Sequence, residues 1–118
     1  KGPKGARALV MGITFKENVT DIRNSKVVDV ISELLDFGLV VDVVDPSADA
    51  GEVKNEYGLE LKEKPSGSYD AVIVAVNHSS YLELTEDYFA GMLTDKGILV
   101  DIKGIYRDKI KKLSYWSL

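Results

Sequence analysis

The sequence predicts an α/β fold, a doubly wound and mostly parallel sheet flanked by helices, on three observations. Short runs such as Ala8-Leu9-Val10 and Ala71-Val72-Ile73-Val74-Ala75-Val76 are apolar without alternation, as strands covered by helices on both faces must be. Between the first two strand-like runs lies a stretch of strict helical periodicity, so strand, helix and strand follow in direct succession. At 118 residues, 45% hydrophobic and 29% charged, the chain has the material for one core and one domain, residues 1–118.

Taken in order, Arg7 to Ile13 reads as the first strand, broken at Gly12. Val27, Val30, Ile31, Leu34, Leu35 and Gly38 fall at i, i+3, i+4, i+7, i+8 and i+11. They mark one face of an amphipathic helix with Asn24 or Ser25 as N-cap and Gly38 as its stop. Leu39 to Asp45 is the second strand, ended by Asp45-Pro46. Ala48 to Tyr57 carries a weaker helical signal, and Leu59-Glu60-Leu61-Lys62 reads as a short edge strand whose charges suit exposure. After the turn Ser66-Gly67-Ser68, the run Ala71 to Val76 is the central strand. Ser80-Tyr81-Leu82-Glu83 fits the capping-box pattern, which predicts a helix in one or two pieces from Ser80 to Leu93. Asp95-Lys96-Gly97 turns the chain into Ile98 to Ile102, the last strand expected. Arg107 to Lys112 reads as the polar face of a short terminal helix, with Tyr115 and Trp116 packed back on the domain. The pattern is Rossmann-like, and in such sheets ligands bind outside the carboxyl ends of the strands, where the strand order reverses. Thr14 to Lys16, Asp45, Asn77 to Ser79 and Lys103 all fall at that edge.

Composition narrows the chemistry. There is no cysteine, which removes disulfides, thiolate metal sites and a cysteine nucleophile from this chain. Fifteen basic against nineteen acidic residues leave a net charge of −4, so an anionic ligand needs a local cluster and a nucleic-acid polymer is disfavoured. The longest apolar runs reach about six residues against the ~20 a bilayer demands, and no signal-like segment opens the chain, so no membrane partner and a cytoplasmic location are expected. Lys1-Gly2-Pro3-Lys4-Gly5 reads as the end of a connection, with residues 1–6 a linker remnant and the chain a piece of a longer protein.

The loop after the first strand is where chemistry is expected. Gly12-Ile13-Thr14-Phe15-Lys16-Glu17 is neither G-x-G-x-x-G nor a Walker loop, so a ligand there would be held by side chains and not cradled by backbone. Lys16 can meet a phosphate as a point charge, Arg23 can fork onto two oxygens, and Phe15 can stack on a base. The bland alternative pairs Lys16 with Glu17 and Arg23 with Asp21 at the surface and packs Phe15 under the loop. Asp45, before Pro46, suits a turn better than a ribose contact. His78, the lone histidine, has no partners at metal-ligand spacing and stands as a hydrogen bonder at the site edge or as a plain loop residue. Lys103 ends the last expected strand and would converge with Lys16, as a diphosphate requires. No catalytic pair is visible.

At Gly12-Ile13-Thr14-Phe15-Lys16-Glu17-Asn18-Val19-Thr20-Asp21-Ile22-Arg23-Asn24-Ser25 the chain resembles the C-terminal, UDP-binding domain of the UDP-glucose/GDP-mannose dehydrogenase family. Val44-Asp45-Pro46 and Val100-Asp101-Ile102-Lys103-Gly104 extend the resemblance over essentially the whole chain. It implies one domain of a longer oxidoreductase of polysaccharide biosynthesis, with an N-terminal domain that binds most of the NAD, a central dimerising region and a homo-oligomeric assembly. Such enzymes oxidise the C6 alcohol of a UDP-sugar to a carboxylate in two NAD-dependent steps through a thiohemiacetal on a cysteine of the central region. By itself this chain would then be inactive. The resemblance places Phe15 and Lys16 on the UDP-sugar and Arg23 near the NAD side of the cleft, and it assigns His78 no role. Lys103 stands where the UDP-glucose branch carries the arginine of Asp-Gly-Arg, which favours a UDP-N-acetylhexosamine over UDP-glucose or GDP-mannose. The ending Tyr115-Trp116-Ser117-Leu118 resembles a native C-terminus of that branch. A phosphoacceptor receiver domain, the alternative from another class, needs an acidic pair where Gly12-Ile13-Thr14 stands.

Overall fold

The computed structural model describes residues 5–118, so the first four residues of the expected linker remnant lie outside the described residues. Its strands are β1 (Arg7–Met11), β2 (Val40–Val44), β3 (Leu61–Lys62), β4 (Tyr69–Val74), β5 (Leu93–Asp101) and β6 (Ser114–Ser117). Its helices are α1 (Val27–Asp36), α2 (Ala50–Tyr57) and α3 (Glu86–Ala90). The strands form one sheet in the order β3-β2-β1-β4-β5-β6, and every neighbouring pair is parallel. The chain runs outward from β1 through β2 to β3 and then returns to place β4 beside β1, so the order reverses between β1 and β4.

The non-alternating runs are explained by the two cores they feed. Leu9, Met11, Val72 and Val74 pack with Tyr81, Phe89, Leu99 and Tyr106 on one face. Val10 and Ile73 pack with Ile31, Val43 and Val53 on the other, under α1 and α2. Burying each such aliphatic side chain is worth about 2 kcal/mol, so both faces of the central strands must be apolar. Helix α1 inserts Ile31 fully and Val27, Val28 and Leu34 partly, whereas Val30 and Leu35, expected on the same face, remain exposed. It ends as expected at Gly38, whose φ of 88° closes a Schellman turn in which the Leu39 amide donates to the Leu34 carbonyl at 3.1 Å.

Several boundaries differ from the sequence expectation. Neither Asn24 nor Ser25 caps α1; Lys26 occupies the N-cap position with no side-chain bond to the helix. Residues Ser79–Glu83 form a single 3₁₀ turn without the Ser80–Glu83 capping box, because extended Leu84 interrupts the chain and Thr85 caps α3 instead through the Tyr88 amide. Asp95-Lys96-Gly97 does not precede the strand but bulges out of it: Tyr69 pairs with Leu93 and Ala71 with Ile98.

The largest correction is at the C-terminus. Residues 107–112 form no helix, and Ser114–Ser117 adds a sixth strand beside β5. The backbone donors that a helix would consume are taken by carboxylates. Asp101 accepts the Ile105 and Tyr106 amides, and Glu86 accepts those of Lys111, Lys112 and Leu113. Tyr115 also donates to Asp101. Among the described residues no helix is long and apolar enough to cross a membrane.

Gly12 has φ of 102°, and a Cβ built on it would meet Val76 Cβ at 2.6 Å. Gly12→Ala is therefore expected to cost about 3 kcal/mol in denaturant unfolding, from backbone strain and overpacking together. The three amides that reach Glu86, Leu113 foremost, hold its carboxyl below the ordinary value of 4.5. Its contribution is complete above that value and lost as pH falls through the lower folded one. Fluorescence of Trp116, the only tryptophan, should report release of β6 in acid below 4.5. In Glu86→Gln that step should vanish, with faster amide exchange in β6 already at neutral pH.

Candidate functional site

Three neighbouring strands, β2, β1 and β4, end at the reversal point, and one carboxylate ties their exits together. Asp45, just past β2, is buried, and its Oδ2 accepts the Ile13 amide at 2.7 Å, the Thr14 amide at 3.2 Å and His78 Nε2 at 3.0 Å. Its Oδ1 accepts the Ser47 amide at 2.7 Å, the turn expected of Asp45-Pro46. The Oδ2 contacts are what the sequence did not suggest. In a dinucleotide-binding sheet the amides after the first strand face a pyrophosphate. Here the protein fills that position with its own carboxylate, so an external anion must be met by side chains.

His78 is 1% exposed. The Asn18 amide donates to its Nδ1 at 2.9 Å, which leaves the proton on Nε2, directed at Asp45. Thr14 Oγ1 lies 3.3 Å from the same Nε2 and donates to the Lys16 carbonyl at 2.8 Å. Asn18, held at φ of 60°, exchanges side-chain bonds with Ser79: its Nδ2 donates to Ser79 Oγ and its Oδ1 accepts the Ser79 amide, both at 2.9 Å. Of the two sequence readings of His78, the structure selects the hydrogen bonder.

Between those anchors the loop presents Phe15, 56% exposed, and Lys16, also exposed. Both line a cleft of about 320 Å³ at the reversal point, together with Ile73, Ala75, Ile102 and Lys103. Phe15 does not pack under the loop, and among the described residues neither Lys16 nor Lys103 has a carboxylate partner. Ser25 lines the same cleft; its hydroxyl is buried without a protein partner beside the uncapped start of α1. Sequence reasoning had spent this residue on a helix cap.

Arg23 stands apart. It lines a second cleft with Thr20, Glu52 and Glu56, and its guanidinium lies on Asp21 at 3.1 Å, as the bland reading had it. The hydrogen bond from Arg23 holds the Asp21 carboxyl below its ordinary range, and the pair is exposed to solvent. Thus the structure brings together Phe15, Lys16 and Lys103 and separates Arg23 from them.

Residues 9–108 match the UDP-binding domain of the UDP-glucose/GDP-mannose dehydrogenase family. The chain belongs to that family. It is 43% identical over 101 residues to UDP-N-acetyl-D-glucosamine 6-dehydrogenase of Salmonella typhi, covering 85% of this chain and 24% of that protein. It is 46% identical over 103 residues to Protein CapL of Staphylococcus aureus, covering 86% and 24%. The chain therefore spans about a quarter of the length of these relatives. Among solved structures, NDP-N-acetyl-D-galactosaminuronic acid dehydrogenase from Methanosarcina mazei Go1 shares the fold with a TM-score of 0.81 at 21% identity, over 100% of this chain and 25% of that one.

The Asp45 network makes a stability prediction for this UDP-binding domain. Asp45→Ala leaves two amides and an imidazole N–H buried without an acceptor and should cost about 3 kcal/mol or more in urea unfolding. Asp21→Ala, which opens an exposed ion pair and leaves the exposed Arg23 amide to water, should shift the midpoint far less.

Proposed function

We propose that residues 1–118 are the C-terminal domain of an NAD-dependent UDP-sugar 6-dehydrogenase, a cytoplasmic homo-oligomer that oxidises the C6 alcohol of a UDP-N-acetylhexosamine to a carboxylate in two steps. The observation that carries this reading is the convergence of Phe15, Lys16 and Lys103 on one cleft at the sheet's reversal point. The two ammonium groups meet the diphosphate as point charges, each charged hydrogen bond worth about 2 kcal/mol. Phe15 offers its ring to the uracil, a contact worth about 1–3 kcal/mol. The Ser25 hydroxyl supplies a further donor at the same wall. Lys103, in place of the arginine of the UDP-glucose branch, and the N-acetylglucosamine-specific names of relatives support the N-acetylated sugar.

The same geometry does not suit a dinucleotide at the β1 turn, because the Ile13 and Thr14 amides already bind Asp45. NAD, which accepts the hydride in such oxidations, is accordingly held mainly by other parts of the longer chain, and Arg23, which lines a cleft of its own, would meet it there. The nucleophilic cysteine likewise lies outside these 118 residues, which contain none, and the domain alone is inactive.

UDP at a hundredfold excess over its Kd should stabilise this domain by about 2.7 kcal/mol and raise its Tm by several degrees, with NAD giving a smaller shift. Lys16→Ala should weaken UDP about tenfold or more in calorimetric titration. A shift with NAD but none with UDP would overturn the assignment. Assay of the full-length protein against a panel of nucleotide sugars, read by NAD reduction, identifies the sugar.

A further inference from the structure

His78 is the one buried, chemically versatile side chain that the proposed binding chemistry leaves unused. Its surroundings resemble a catalytic triad, with an aspartate, a histidine and a threonine hydroxyl in contact. The geometry excludes that role: Asp45 and Thr14 both lie on Nε2, whereas a triad needs acid and nucleophile on opposite ring nitrogens. Nδ1, the nitrogen left over, is occupied by the Asn18 amide at 2.9 Å.

We propose that His78 is a positioning residue for nucleotide binding, locking the far end of the loop that carries Phe15 and Lys16. The proposal rests on the reading of that loop as the nucleoside-diphosphate contact and adds the device that sets it. The near end, Ile13 and Thr14, is held directly by Asp45. The far end has no carboxylate; its Asn18 amide reaches only the imidazole, and the Asn18 side chain reaches only Ser79, the next residue of the same segment. The imidazole is itself fixed on its other nitrogen by Asp45 and edge-on by Tyr81, ring centroids 5.4 Å apart. One carboxylate therefore sets both ends, directly at one and through His78 at the other. Phe15 and Lys16 stand exposed inside that frame, where the Phe15 amide donates to the Asp21 carbonyl at 2.7 Å and Thr14 Oγ1 to the Lys16 carbonyl at 2.8 Å, and a ligand binding a preset loop does not bear the cost of ordering it.

The two nitrogens can be tested separately. In His78→Asn the amide oxygen falls near Nδ1, so the acceptor for Asn18 is kept and the bond to Asp45 lost. In His78→Gln the amide nitrogen falls near Nε2, so the bond to Asp45 is kept and the Asn18 amide lost. Stability and binding should then rank in opposite orders. His78→Gln should be the more stable in urea, while His78→Asn binds UDP about tenfold more tightly than His78→Gln by calorimetry. A purely structural histidine would make affinity follow stability, and that ranking, or wild-type affinity in both variants, would overturn the proposal.

Ligand-free measurements separate this from the reading of the site. Amide exchange at Asn18 should accelerate in His78→Gln and not in Lys16→Ala, which weakens UDP alone. In the unaltered protein, ring nitrogen shifts should show His78 protonated at Nε2. A proton on Nδ1, or unchanged Asn18 exchange in both His78 variants, would refute the lock whether or not UDP binds. Failure of UDP to bind with the lock intact would instead refute the assignment of the ligand.

Discussion

The structure depends on one buried carboxylate. Asp45 Oδ2 gathers two amides from the exit of β1 and the imidazole that follows β4, so three adjacent strands are joined at their carboxyl ends by one atom. A desolvated carboxylate is tolerable only with such donors, and the donors only with such an acceptor, which makes the group act as a unit. It sits where the strand order reverses, the place at which parallel α/β sheets open a crevice because helices depart to opposite faces. By filling the anion position at the β1 turn, Asp45 changes what that crevice recognises. The Ile13 and Thr14 amides are closed to an external pyrophosphate, and the groups left open to the crevice are side chains on the loop and beyond the end of β5.

The architecture divides rigid from exposed parts accordingly. Gly12 lets β1 end under Val76, and the two cores hold the strand ends in register. The loop then runs from one anchored end to another with only Phe15 and Lys16 projecting. At the opposite edge the same economy recurs, with Asp101 and Glu86 gathering the amides of the segment that leads to β6. In both places a carboxylate replaces the regular secondary structure that would otherwise satisfy the backbone.

Most of the fold was legible because it is written in periodicity. The run Ala71 to Val76 encodes burial directly, the helical spacing from Val27 to Leu34 does so for all but Val30, and the edge strand at Leu61–Lys62 carries its own charge. What misled were signals with a local competitor. Ser80-x-x-Glu83 is a valid capping box, but Leu84 and Thr85 start the helix later. Arg107 to Lys112 has the composition of a helix face, yet Glu86, more than twenty positions away in sequence, takes its last two amides and that of Leu113 beyond it. Phe15, Lys16 and Lys103 could be placed at one edge from strand order alone, whereas the pairing of Arg23 with Asp21 is one of two readings the sequence leaves open and the tertiary structure selects.

By itself the sequence determined the parallel, doubly wound sheet, the absence of an internal thiol nucleophile, and the position of the loop after Gly12 at the carboxyl edge of the sheet. These are properties of spacing and residue type, which survive without coordinates. Only the tertiary structure decided the surroundings of Asp45, His78 and Ser25. Each depends on a partner or a cavity wall brought together from distant segments: position 45 meets 13 and 78, and position 78 meets 18. A buried hydrogen bond is set by which groups share a dry space, and sequence spacing records that only when the groups are neighbours along the chain.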